Sequence, residues 1–254
     1  MNRIRWTFVA MVACAMVAWA ADQLKDQKTK AASSSIVDSG SFGVFVKGQR
    51  VLTESFSIQQ ANGTSSIKSE LKEAAGSGPT NQKSNLEMTG NRELIRYEWS
   101  QGGPGGASLI VLPNNEFLLE KITSAGSSKP AEQPFLMPNT SSVLDNNFFV
   151  QREVLAWRYL ADLEASCKPQ GGNPQCRSGP LDYGVLVPQD RTSMHVRVEA
   201  VGKEKVPYRG TDRELLRLKL QGDAFEWALW LDPQDNFKLM RVAIPADSTE
   251  AVRD

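Results

Sequence analysis

The chain has one histidine, three cysteines and no excess charge of either sign, with 29 basic and 29 acidic side chains in 254 residues. Each scarcity excludes a class of chemistry. Two mature-chain thiols and one distant histidine do not make the four-ligand set of a zinc site, and no Gly-x-Ser-x-Gly elbow accompanies His195. Alternation in Met194-His195-Val196-Arg197-Val198 puts His195 with Arg197 and Glu199 on a polar face. That is the setting of a solvated surface histidine, since a general base needs a cleft and an orienting partner. A balanced charge leaves no electrostatic footprint for nucleic acid. No cofactor fingerprint is present. The glycine loop at 102–106 lacks the Lys-Ser/Thr of a phosphate cradle and leads into a strand-like run at 108–112, whereas a phosphate-binding loop opens a helix. It reads as a hairpin connection.

What is present begins with the N-terminus. Arg3 and Arg5 precede an uncharged stretch at residues 6–19 that ends in Ala18-Trp19-Ala20. This is shorter than the roughly 20 apolar residues of a membrane span and has the layout of a cleavable signal peptide over residues 1–20. A second reading makes Cys14 a lipidated cysteine, because Val12-Ala13-Cys14 partly resembles a lipobox. Against it, lipidation there leaves an apolar start, Ala15 to Ala21, where lipoproteins begin with a polar tether. The expected location is therefore the periplasm or the outside of a bacterial cell, with no transmembrane span after cleavage. Loss of Arg3 and Arg5 leaves 27 basic against 29 acidic side chains, a net of −2. In an oxidising compartment the two remaining cysteines, Cys167 and Cys176, are expected to form a disulfide across a turn rich in Gly and Pro.

Residues 21–39 have too little apolar surface to offset the entropy of ordering and read as a flexible tether. From residue 40 the pattern alternates at period two between turn residues, the signature of antiparallel strands. Residues 41–47, 51–60 and 64–72 form a meander, with Asn62-Gly63 as a type I′ turn because both of its central positions need positive φ. Further strands are expected at 85–101, 109–113 and 117–123, and after the cysteines at 183–188, 192–201, 206–209, 215–221, 224–231 and 237–244. A Pro- and Ser-rich stretch at 124–139 precedes one helix at 144–166, with Asp145 as its N-cap. The sequence thus predicts a mainly β (α+β) fold, a strongly curved antiparallel sheet or half-barrel holding a mid-chain helix. It forms a single domain over 40–246 and leaves a C-terminal tail at 247–254.

The helix is apolar on two sides. Phe148, Phe149, Leu155, Tyr159, Leu160 and Leu163 share one broad face, and Val150, Val154 and Trp157 form a second patch. A helix on a single sheet needs one stripe. The second patch asks for a covering loop, a ligand or a partner. Phe148, Leu155, Trp157, Tyr159 and Leu163 are accordingly the candidate ligand-binding residues.

The order of strand meander, mid-chain helix and a late hairpin, Trp230-Leu231-Asp232 through Arg241-Val242-Ala243-Ile244-Pro245, resembles uncharacterised exported bacterial proteins. These in turn resemble the half-barrel lipoprotein carriers (LolA/LolB-like). The resemblance is architectural and carries no diagnostic motif. It implies a curved sheet around a helix that shelters acyl chains, so a lipid or other hydrophobic ligand. A structural or protein-interaction module of the cell envelope is a second class, testable as an exposed apolar patch near Trp157. A hydrolase is a third: Glu70, Glu73, Glu98, Asp182 and Asp190 supply carboxylates, although nothing selects a pair. Trp99, Trp157, Trp227 and Trp230 could also line a carbohydrate-binding face, but tryptophans in β domains are mostly core.

Overall fold

The computed structural model describes residues 34–74, 81–102, 105–170 and 173–254. The signal peptide and most of the tether expected from the sequence lie outside these residues. From β1 (Ser35–Val46) the chain runs through β2 (Gln49–Ala61), β3 (Thr64–Glu73), β4 (Gln82–Thr89) and β5 (Leu94–Gln101). It continues through β6 (Ser108–Asn114), β7 (Phe117–Thr123) and β8 (Ala131–Phe135), each strand antiparallel to the one before it. The short β9 (Ser142–Val143) then leads to the helix α1 (Val150–Ala165) and to a separate hairpin, β10 (Lys168–Gln170) and β11 (Asn173–Gln175). The return half is β12 (Leu181–Val187), β13 (Thr192–Tyr208), β14 (Thr211–Gln221), β15 (Glu226–Asp232), β16 (Lys238–Ile244) and β17 (Thr249–Arg253).

Local turn chemistry explains much of this register. Lys47-Gly48, Asn62-Gly63 and Arg209-Gly210 all have φ between 49° and 80°, as a two-residue type I′ hairpin requires. They fix the β1–β2, β2–β3 and β13–β14 pairings. The global arrangement is a single open, curved, 15-stranded sheet with an unusual centre. β1 pairs with β17, from Phe42↔Arg253 to Val46↔Thr249. The beginning and end of the described chain therefore meet in the middle of the sheet, and its edges, β8 and β9, come from the middle of the sequence. The edge regions approach each other: Gln133 Nε2 on β8 donates to Arg191 O beyond β12, at 3.4 Å.

α1 lies in the hollow of this sheet. Phe42, Ile58, Ile67, Leu86, Tyr97 and Val111 from one half join Val185, Val196, Leu218, Leu229 and Val242 from the other, and Leu155, Ala156 and Tyr159 of the helix complete one contiguous core. A smaller cluster, Val206, Leu215, Ala228, Trp230 and Met240, forms a second core. Trp230 there stacks beneath Arg217 and Arg241 and donates Nε1 to Glu204.

Several boundaries differ from those the sequence suggests. The strand β1 begins at Ser35, so residues 35–39 are not tether. Asp38 within them is buried against Arg253. Residues 249–253 are a central strand, not a tail. β8 forms inside the Pro- and Ser-rich stretch as an edge strand, where Pro134 is tolerated. The two expected strands at 192–201 and 206–209 are one 17-residue strand with a bulge between Ala200 and Gly202. The helix begins at Val150, not 144, and Asp145 is not its cap. Its N-terminus is capped instead from β2: Glu54 accepts the Phe149 N–H at 2.6 Å and the Val150 N–H at 3.4 Å. Asp145 accepts from the Tyr97 hydroxyl, Asn146 N and Gln189 N, and so holds the irregular segment ahead of the helix.

Candidate functional site

One stripe of α1, Gln151, Val154, Leu155, Arg158 and Ala161, follows the three- and four-residue spacing that places side chains on one helical face. Facing it are Leu86, Met88 and Thr89 of β4, and Gly90 and Arg92 of the following turn. Ser141, Ser142 and Val143 close a third side, and together these walls bound a cavity of 290 Å³. With a water-sized group taking about 30 Å³, it has room for about ten such groups. The walls are mainly apolar, with convergent polar groups, as in small-molecule sites.

Two of those polar groups are guanidinium ions. Arg92 Nη1 donates to Asp162 Oδ1 at 2.7 Å and to Arg158 O at 3.2 Å. Arg158 Nη1 donates to Thr140 O and to Ser142 Oγ, and its Nε lies 3.9 Å from Asp162 Oδ2. Tyr183 donates its hydroxyl to the same carboxylate at 3.0 Å and lies under the Arg158 guanidinium. Burial lowers the Arg158 pKa from its ordinary value, opposed by Asp162. At the inner end Gln151 is buried. Its Oε1 accepts from Asp145 N at 2.6 Å, but its amide nitrogen makes no well-formed hydrogen bond. Tyr97 is the polar neighbour of that NH₂ group.

Of the five candidate ligand residues, Leu155 and Trp157 line this cavity. Phe148 and Tyr159 are core residues with no exposed surface. Tyr159 donates to Gly179 O and accepts from Ala200 N. Leu163 is half-buried against the core and does not line the cavity. Trp157 donates Nε1 to Phe237 O at 2.8 Å. The second apolar patch is thus divided: Val150 is core, while Val154 and Trp157 wall the cavity. The disulfide Cys167–Cys176 is present and brackets the β10–β11 hairpin.

The catalytic candidates are scattered. His195 is exposed at an open groove of 850 Å³ shared with Asp182, Tyr183 and Arg158. Asp182 is occupied by Arg197 at 2.9 Å, Glu70 by Lys72 and Lys83, Glu98 by Arg96, and Asp190 accepts from Asn146. Glu73 on β3 has one buried oxygen without a hydrogen-bond partner. No hydrogen bond or ion pair joins any two of these five carboxylates. Among the described residues no group of three or more His, Cys, Asp or Glu side chains is placed to hold a metal, and no helix is long and apolar enough to cross a membrane.

Sequence reasoning passed over the buried acids Glu54, Glu120 and Glu153, and it took a fourth, Asp145, for a helix cap. Burial raises the pKa of all four, Glu54 and Glu120 to about 7. Glu120, on β7 opposite Val111, has no hydrogen-bond partner on either oxygen. Because its folded pKa exceeds the ordinary 4.5, the folded state binds the proton more tightly. Its contribution to stability is full below pH 4.5 and is lost as the pH rises through about 7. The shift corresponds to on the order of 3 kcal/mol. Glu120→Leu is therefore expected to stabilise the protein at pH 8 by about that amount and much less at pH 5. Urea denaturation of both proteins at the two pH values measures the difference, and equal gains at both would show that the carboxyl does not titrate in this window.

Comparison with family models, curated protein sequences and solved structures returns no match for this chain.

Proposed function

We propose that the protein is exported and that its folded domain binds a small hydrophobic ligand, of lipid or similar chemistry, without transforming it. The observation that carries this reading is the cavity between α1 and β4, walled by Leu86, Met88, Val143, Val154, Leu155 and Trp157. A partly enclosed, mainly apolar cleft of this size with a few polar groups in its wall has the character of a small-molecule site. The cysteines support export, because a disulfide persists in an oxidising compartment. Volume bounds the ligand. Room for about ten water-sized groups takes one short chain and excludes several full-length acyl chains held together.

The test uses the full-length protein purified without denaturation from the envelope fraction of an expressing bacterium. Isothermal titration with 1-octanol is expected to show one site in the wild type and none in Ala161→Trp, which places an indole in the cavity. Both proteins should melt within a few degrees of each other. Native mass spectrometry of the untreated protein should show any resident occupant, lost in the same variant. Equal octanol binding by both proteins, or none by either, would sink the proposal.

A further inference from the structure

Every charged group in the cavity wall is cationic: Arg92 and Arg158 line it, and no carboxylate does. Asp162 alone serves both guanidinium groups, and it is shared with the Tyr183 hydroxyl. Among the described residues Asp162 is the one carboxylate ion-paired with either arginine, so no second acid balances the pair. Each arginine commits Nη1 to protein acceptors, and Nη2 of each has no hydrogen-bond partner among the described residues. Arg92 is 39% and Arg158 21% exposed, so this net positive charge is within reach of solvent and of an entering molecule, and Arg158 also borders the open groove beside Asp182 and His195. Gln151 lies two helical turns deeper, seven residues away, about 10 Å along the axis. Between them run Val154 and Leu155, which offer only hydrocarbon.

We propose that the ligand is a single-chain anionic amphiphile of about ten non-hydrogen atoms, its carboxylate or phosphate head held by Arg92 and Arg158 and its chain along Val154 and Leu155. This rests on the hydrophobic-ligand reading of the same cavity. A planar guanidinium presents parallel N–H donors that match either oxyanion, and two of them converge here. Octanoate has the right size. A longer chain would have to pass Gln151, which is buried at the inner end of the wall and so bounds the depth.

Isothermal titration of the full-length protein with 1-octanol, octanoate, octyl phosphate and octylamine tests the head group separately from the cavity. Octanoate or octyl phosphate is expected to bind about tenfold or more tightly than octanol, the effect of a charge-assisted hydrogen bond, and octylamine more weakly than octanol. Whichever anion binds better assigns the head as carboxylate or phosphate. Arg92→Asn, which keeps a residue at ease with the φ of 65° at that position, should bring the anions close to octanol, whose own affinity changes far less. Arg158→Gln should do the same; should it fail to fold through loss of its bonds to Thr140 and Ser142, Arg92→Asn decides alone. Octanol and octanoate binding equally, with no effect of Arg92→Asn, would overturn the anionic head and leave the cavity standing. Binding of none of the four would overturn both.

Discussion

A chain ending at Ser248 is expected not to fold. The six residues it lacks look dispensable at the end of a sequence, yet β17 lies between β1 and β16 and joins the two halves of the sheet. Its removal exposes the ladders of both neighbours and takes away Ala251, which is fully buried. It also takes away Arg253. That guanidinium contacts both oxygens of Asp38 at 2.7 Å, lies 3.6 Å from Glu153, and covers the rings of Phe42 and Phe56. Asp38 and Glu153 are almost wholly buried, with Lys238, 3.7 Å from Asp38, as the remaining cation. Breaking a buried ion pair from one side costs about 3–5 kcal/mol, and whole domains are stable by only about 5–15 kcal/mol. Arg253→Met alone should therefore lower stability by about 3–5 kcal/mol, and the truncation should remove the folded state. Circular dichroism with thermal melting reads both. A truncated chain that still melts cooperatively near the wild-type temperature would mean that β1 and β16 can pair without β17.

The contrast between this strand and the first hairpins explains what the sequence could reveal. Asn62-Gly63 announces a turn because the requirement for positive φ is local and chemical, and the alternation around it is enough to define β2 and β3. Nothing local distinguishes Thr249-Glu-Ala-Val-Arg253 from a frayed end: its role comes from pairing with residues more than 200 positions away. The tether misreading has the same origin. Asp38 is polar by composition and buried only because Arg253 reaches it. The helix was legible by its apolar period, but its start was not, since the cap that fixes it comes from β2. Two buried acids did leave a signal. Glu54 occupies the inward phase of β2 with Phe56 and Ile58, and Glu120 that of β7 with Leu118. A charge at an inward position of a good alternation marks a buried polar contact. As for the cavity, the split apolar surface of α1 pointed to Leu155 and Trp157, whereas Gln151, Arg92 and Met88 enter through packing between distant elements and carry no sequence signature.

Replacing Glu54 with alanine is expected to destabilise the protein by about 3 kcal/mol or more, because three donors lose one buried acceptor at once. Phe149 N, Val150 N and the Ser69 hydroxyl, at 2.6 Å, all converge on its carboxylate. No side chain of the N-cap residue can replace it, since that residue is Phe149. Glu54 also faces Arg152, itself fully enclosed, with its pKa lowered to about 10 by burial and supported by Glu54 and Asp145. Glu54→Gln keeps one acceptor oxygen for the helix and can pair its amide with Ser69, so it should cost about 1 kcal/mol. That cost applies at pH 5 and should shrink or reverse at pH 8, because the wild-type carboxyl, with its pKa raised from 4.5 to about 7, loses its contribution to stability as the pH rises through 7. Denaturant titration of the alanine and glutamine variants at pH 5 and pH 8 gives these four differences. The same substitutions bear on the cavity. The Glu54 contact sets where α1 begins, and the start of the helix sets the depth at which Gln151, Leu155 and Arg158 stand. A folded Glu54→Ala protein should therefore lose octanol affinity, although Glu54 does not line the cavity. Unchanged binding in that variant would show that the helix keeps its place by core packing alone.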